Sequence, residues 1–164
     1  MKCLLSGSLT ILNTCGADIV VYKEIIEDLF KLPNDYALAH CIAADAIMGA
    51  GIAVVFAKTY KGLRPKLQSL PNKVGDVVLY QEKSTMHKVL NLITKESSYG
   101  KPTRASFNQT ILRLKEVAIE ENITQIGMPL IGSGLDRLDW NESREWIQEV
   151  FQDTDIEITV CRLL

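Results

Sequence analysis

Two glycine-bearing segments hold the groups in this chain best suited to grip an anion. They are Met48-Gly49-Ala50-Gly51-Ile52-Ala53 and Pro129-Leu130-Ile131-Gly132-Ser133-Gly134-Leu135-Asp136. Each follows an apolar run, and the first leads into a helical pattern. Glycines in such places permit positive φ and leave backbone N–H groups uncovered, and at a helix start those groups point toward an approaching anion. Two such loops at strand ends could clamp the two phosphates of one diphosphate ligand. Taken singly, either loop reads equally well as a place where the chain merely turns. The familiar nucleotide signatures are missing. There is no Gly-Lys-Ser/Thr of a P-loop, and Rossmann spacing counted from Gly49 and Gly51 puts Val54 where the third glycine belongs.

The remaining reactive residues are scattered. Cys3, Cys15, Cys41 and Cys161 form no CxxC pair and no pattern with His40 and His87, whereas a zinc site needs four close nitrogen or sulfur ligands. No metal and no cofactor are expected, and reduced thiols suit a cytosolic or nuclear protein. His40 lies inside an apolar strand and reads as structural, Cys41 as core, and His87, in a polar turn, as exposed. By residue type alone Lys95 is a solvated lysine at a strand end, because most lysines are surface charges. Asp136, likewise, is a turn residue or a partner for Arg137.

The elements that must position these groups follow from the hydrophobic pattern. Candidate strands are Ile19–Tyr22, extending toward Ile26, then Ala37–Ile42, Val74–Tyr80, Val89–Thr94, Gln125–Met128 and Ile156–Cys161. The run from Val89 to Ile93 is nearly all apolar, as befits a strand covered on both faces. A helix follows Pro102 with Thr103 as N-cap, its Phe107, Ile111, Leu114 and Ala118 making one stripe. Another starts near Asn141, burying Ile147 with Val150 or Phe151. A third begins within Gly51–Val54 and ends near Gly62. Strands alternating with helices predict an α/β fold, a three-layer α/β/α sandwich.

Size and charge narrow the function. A length of 164 residues suits one domain with one substantial core. A net charge of −2 without a block of like charges argues against a non-specific nucleic-acid binder. No apolar run approaches the roughly 20 residues that span a bilayer. Lys2-Cys3-Leu4-Leu5 faintly suggests a secretory signal, but Ser6, Gly7, Ser8, Thr10 and Asn13 interrupt it. Residues 1–16 are expected to form a loose extension.

Several motifs taken together resemble the macrodomain family. Ala37-Leu38-Ala39-His40-Cys41 followed by Met48 to Val54 is similar to a macrodomain's first half. Leu92-Ile93-Thr94-Lys95, Lys101-Pro102-Thr103 and Ile131-Gly132-Ser133-Gly134-Leu135-Asp136-Arg137-Leu138 resemble those macrodomain enzymes that strip a terminal ADP-ribose from glutamate and aspartate. The resemblance runs from about Ile19 to the C-terminus, which divides the chain into an extension, 1–18, and a macrodomain, 19–164, with a mixed central sheet. It implies Lys95 as nucleophile and Asp136 as general acid/base, without a metal. It further implies that Asp28 accepts a hydrogen bond from the adenine amino group, with Leu29 beside it and Leu163 packed near the ring. Gly49, Ala50, Gly51 and Ile52 would form one phosphate wall. Leu130, Ile131, Gly132, Ser133, Gly134 and Leu135 would wrap the phosphates and distal ribose. Two departures stand out: Glu27 replaces a family glycine before Asp28, and Ala43 stands where the family's human member has serine.

The implied partners are ADP-ribose and mono-ADP-ribosylated proteins, with a nucleic acid only if it is itself ADP-ribosylated, and the implied state is a monomer. The implied activity is hydrolytic removal of mono-ADP-ribose from carboxylates, with deacylation of O-acyl-ADP-ribose beside it. Two other functions stay open: a non-catalytic ADP-ribose reader, and a phosphatase acting on ADP-ribose 1″-phosphate. A reader needs the loops and Asp28 but has no use for Lys95 and Asp136 together.

Overall fold

The computed structural model describes residues 4–5, 8–12 and 20–163, with backbone alone for residues up to 20. The expectations for Cys3, Cys15 and Ile19 lie outside the described residues. Among the described residues eight strands form one sheet: β1 Leu4–Leu5, β2 Ser8–Leu12, β3 Val20–Ile26, β4 Ala37–Ala43, β5 Val77–Gln81, β6 Lys88–Lys95, β7 Gln125–Met128 and β8 Glu157–Arg162. Their order is β1-β2-β3-β8-β7-β4-β6-β5. From β3 through β6 all neighbours are parallel, while β5 and β2 run antiparallel at the two sides. Among the described residues four α-helices cover the faces: α1 Ile52–Thr59, α2 Leu63–Gln68, α3 Arg104–Glu120 and α4 Trp140–Phe151.

The period-2 geometry of a strand divides the core in two. Ala39 of β4 and Leu90 and Leu92 of β6 pack with α3 and α4, around Phe107, Ile111, Leu114 and Ile147. The alternate residues Leu38, Ile42, Val89 and Ile93 pack with α1 and α2, around Phe56, Leu63 and Leu67. Both faces of β4 and β6 are therefore apolar, which is why their sequences run without alternation. α3 starts where expected, because Thr103 and Ser106 exchange side-chain bonds with each other's amides in a capping box.

Some boundaries differ from expectation for identifiable reasons. β5 begins three residues later than Val74, because Val74 and Gly75 form a turn in which Gly75 adopts φ +93°. The helix expected to reach Gly62 stops at Thr59, and the separate α2 follows. Pro65 sits in α2's first turn, where its missing N–H is harmless. Leu63 and Leu67, one turn apart, anchor that helix in the core. Where a loose extension is expected for residues 1–16, Ser8–Leu12 pairs antiparallel with β3, and Leu4–Leu5 pairs with β2. His87 is half-buried rather than exposed, since it accepts from the Tyr60 hydroxyl at Nδ1 and donates from Nε2 to the Tyr36 carbonyl.

Two buried polar groups link layers. His40 stacks on Phe56 of α1 and donates from Nε2 to Asn91 Oδ1 at 2.6 Å, while its Nδ1 has no partner. Burial pushes its pKa down to about 4, so it is neutral. Glu24 of β3 accepts bonds from Arg144 and Trp140 of α4, from Arg162 of β8 and from Tyr22. Burial opposes its charge, yet the arginines hold its pKa below the ordinary carboxylate range. These shifts predict acid unfolding in two stages. Between pH 6.5 and about 4 the unfolded chain takes up a proton that native His40 refuses, so stability falls by on the order of 3 kcal/mol. The Glu24 contribution is complete above the ordinary glutamate range and fades only as pH drops through its depressed native value. Thermal melts from pH 7 to 3 should therefore lose the upper limb in His40→Gln and the lower limb in Glu24→Gln. The second variant should also cost about 2–4 kcal/mol at neutral pH, because two arginines lose their counter-charge. Unchanged pH dependence in both would refute the assignment.

Candidate functional site

The parallel strands all end on one edge of the sheet, and the residues singled out in the sequence lie on the segments that leave that edge. Asp28 follows β3, Gly49–Ile52 follow β4, Lys95 ends β6, Leu130–Asp136 follow β7, and Leu163 follows β8. This is where open α/β sheets bind ligands, because strand ends and helix starts leave backbone polar groups facing a shared crevice.

The β4–α1 loop owes its shape to unusual backbone. Ala46 and Met48 have φ +51° and +53°, and Gly51 has φ +61° with ψ −150°, a region closed to other residues in practice. No side chain caps α1; the Val54 amide donates to the Gly51 carbonyl, and no partner is described for the Ile52 and Ala53 amides. The β7–α4 loop folds back on itself: Leu138 N–H donates to the Gly132 carbonyl at 2.7 Å, and the Ser133 amide and hydroxyl both donate to the Leu130 carbonyl. Gly132 has φ +75°, and a Cβ there would lie 2.9 Å from the Phe107 ring. Gly134 faces open space. The two loops adjoin, since a side chain at Gly51 would sit 3.5 Å from Leu135 Cδ1.

Lys95 and Asp136, 41 positions apart in sequence, meet beside these loops. Nζ of Lys95 donates to Asp136 Oδ1 at 2.8 Å, and both side chains are only 14 % exposed. The lysine backbone is pinned as well, because Ala44 N–H donates to its carbonyl at 2.8 Å. Lys95 is thus no solvated strand-end lysine, and Asp136 is engaged by Lys95. Cys41, on the neighbouring strand, has its thiol pushed up to about 12 by burial and then by the Asp136 charge. It stays protonated and is a poor nucleophile. Among the described residues no group of three His, Cys, Asp or Glu is arranged to hold a metal.

Not every candidate faces the crevice. Ile131, 3 % exposed, is a core residue of the α3–α4 layer, and Leu29, 4 % exposed, packs on the other face. Their side chains are anchors in the core, the Ile131 amide donates to the Pro129 carbonyl, and the Leu29 carbonyl accepts from the Leu32 amide. Asp28 uses Oδ1 to cap a short 3-10 turn, accepting from Phe30 N–H, which leaves Oδ2 available. Glu27 substitutes for the family glycine without strain, because its carboxylate accepts from the Asp28 amide and its own amide pairs with Arg162. Leu163 and Leu135 are 75 % and 61 % exposed, and Ala43 is buried opposite Lys95. Sequence reasoning missed Asp45, Ser98 and Lys101, which tie the site's loops together. Lys101 belongs to a motif already singled out, but its partner is visible only in three dimensions.

Comparisons with known proteins bear on the family and the fold. The Macro domain family model matches residues 40–147. The human ADP-ribose glycohydrolase OARD1 is 40% identical over 136 residues, covering 83% of this chain and 88% of that protein, and its Bos taurus counterpart is 39% identical over the same shares. Among solved structures, the macrodomain of Mycobacterium tuberculosis DarG aligns with a TM-score of 0.78 at 21% identity, covering 84% of this chain and 95% of that one. Thermosipho africanus DarTG in complex with ADP-ribose aligns with a TM-score of 0.76 at 17% identity, covering 86% and 41%. The parallel sheet with its two glycine loops at one edge, and the family match across most of the chain, lead to one conclusion: this chain belongs to the macrodomain family.

Proposed function

We propose that this macrodomain is a hydrolase that releases mono-ADP-ribose from glutamate and aspartate side chains, with Lys95 as nucleophile and Asp136 as general acid/base. The observation that carries the reading is the 2.8 Å contact between Lys95 Nζ and Asp136 Oδ1, sheltered beside two glycine loops. The 40% identity to a human protein named as an ADP-ribose glycohydrolase supports it. In this reading the Ile52 and Ala53 amides at the start of α1 and the glycine amides of the Gly132–Gly134 loop hold the diphosphate. Asp28 Oδ2 accepts from the adenine amino group, with Leu163 against the ring. Those grips bring the anomeric carbon of the distal ribose to Lys95.

The chemistry needs a proton to leave the lysine, because an ammonium has no lone pair. Asp136 is already hydrogen-bonded to Nζ and accepts that proton over one short bond. Nζ then bonds to the anomeric carbon, and the bond from that carbon to the ester oxygen breaks with its electron pair on the departing carboxylate. Opening of the ribose ring gives a Schiff base. Water adds to the same carbon, Nζ leaves as an amine, and the ring closes to free ADP-ribose. Asp136 gives and takes the protons of the second half. An acyl group on the same carbon presents the same bond, which extends the proposal to O-acyl-ADP-ribose.

Lys95→Ala should keep its affinity for free ADP-ribose within about threefold by calorimetry. It should lose on the order of a thousandfold or more in release from a glutamate-modified protein. Asp136→Asn should also bind and fail to turn over. In borohydride, the wild type incubated with a modified substrate should acquire an ADP-ribose mass on the peptide containing Lys95, and Lys95→Ala should not. A lysine variant that releases ADP-ribose at the normal rate overturns the mechanism. A wild type that binds ADP-ribose without turnover points to a reader. Phosphate release from ADP-ribose 1″-phosphate without a lysine adduct points to a phosphatase.

A further inference from the structure

The segment between β6 and α3 starts at Lys95 and reaches the other catalytic candidate by a different route. Ser98 is clamped by Asp45 of the β4–α1 loop: its amide donates to Asp45 Oδ2 at 2.7 Å and its hydroxyl to Asp45 Oδ1 at 2.6 Å. Asp45 Oδ1 also accepts from the Ile47 amide at 3.1 Å, which ties the clamp to the backbone leading into the first glycine loop. Three residues beyond Ser98, the Lys101 ammonium donates to the carbonyl of Leu135, the residue before Asp136. Residues 96–102 therefore form an arch that touches both glycine loops. One foot is the nucleophile, and the other holds the backbone next to the acid/base.

We infer that Asp45 is a positioning residue. Through Ser98 it sets the arch, and the arch, through Lys101, holds Asp136 against Lys95. The inference rests on the proposed hydrolytic reading for its effect on rate, but the mechanical coupling stands independently of it. The argument is one of degrees of freedom. Asp136 sits in a loop with an exposed glycine, Gly134, on one side and Arg137, with φ +58°, on the other. Apart from the bonds of that loop to itself, the described polar ties to residues 134–136 are Lys101 to Leu135 and Lys95 to Asp136. A carboxylate meant to exchange a proton with Nζ must keep its place when Nζ bonds to the sugar and stops donating to it. Lys101 supplies that restraint, and Asp45 supplies the fixed end from which Lys101 reaches. Burial opposes the Asp45 charge, but the Ser98 and Ile47 donors, with the Lys95 charge, together outweigh it and hold its pKa below the ordinary range, so the clamp is ionised at neutral pH.

The test combines exchange and kinetics on the full chain. In Asp45→Asn and in Ser98→Ala, hydrogen exchange at the Arg137 and Leu138 amides, which close the β7–α4 loop, should quicken severalfold although neither substitution touches that loop. Lys101→Met should quicken the same amides while leaving the Ser98 amide as slow as in the wild type. Ser98→Thr keeps the hydroxyl and should restore wild-type exchange. In release assays, Asp45→Asn should lower kcat about tenfold with KM and ADP-ribose affinity within about threefold. The Asp45→Asn/Lys101→Met double variant should be no worse than the more damaged of those two singles, since both break one linkage. Unaltered exchange at Arg137 and Leu138 in both Asp45→Asn and Ser98→Ala overturns the inference, as does a kcat within twofold of wild type. If exchange responds as stated but the wild type releases no ADP-ribose, the hydrolytic reading fails while the arch stands.

Discussion

The constraint from which everything else follows is the parallel alignment of β3, β8, β7, β4 and β6. Parallel strands place their carboxyl ends on one edge, and each end must hand its chain to a loop whose amides the sheet no longer satisfies. Five such ends converge here. The result is an edge where loops carry backbone donors beyond the sheet, braced by charged side chains such as Asp45 and Lys101. A site made mainly of backbone donors is compatible with a chain whose net charge is −2.

Glycine matters in this cradle at specific places. Gly132 cannot be replaced without meeting Phe107, and Gly51 adopts a backbone that side chains avoid, whereas Gly134 faces open space. The loops are held by different means. The β7–α4 loop is anchored from below by the buried Ile131 and by its own hydrogen bonds. The β4–α1 loop is held by buried Ala46 and Met48 in strained conformations, with Gln68 and Asn72 donating to the Ala46 and Ala44 carbonyls. The short helix α2, whose reach includes Gln68, thereby supports the site from a distance.

The polar groups of the core are arranged to keep these supports in register. Glu24 draws α4 onto β3 and β8 close to where α4 begins, just after the Asp136 loop. His40 and Asn91 bridge β4 and β6 beneath α1, so β4, which leads into Asp45, and β6, which ends at Lys95, are cross-linked by side chains as well as by their ladder. Both groups sit well inside the fold, where a satisfied polar contact favours one packing over alternatives.

By itself the sequence determined the α/β layering, most strand positions and the α3 cap, because these depend on local period and on residues adjacent in the chain. It also marked both glycine loops, since glycine is the residue such turns demand. It gave Lys95 and Asp136 no distinction as residue types; only their motifs did, through family resemblance. It did not show α2, whose two buried leucines are too few to establish a period, or the pairing of β2 with β3. The burial of Leu29 and Ile131 and the half-burial of His87 depended on distant neighbours. So did the arch from Lys95 through Ser98 to Lys101. Its three bonds join loops separated by 34 and 53 positions in the chain. Such contacts arise only when the sheet has aligned its strand ends, and so the tertiary structure alone decided which charged residues meet.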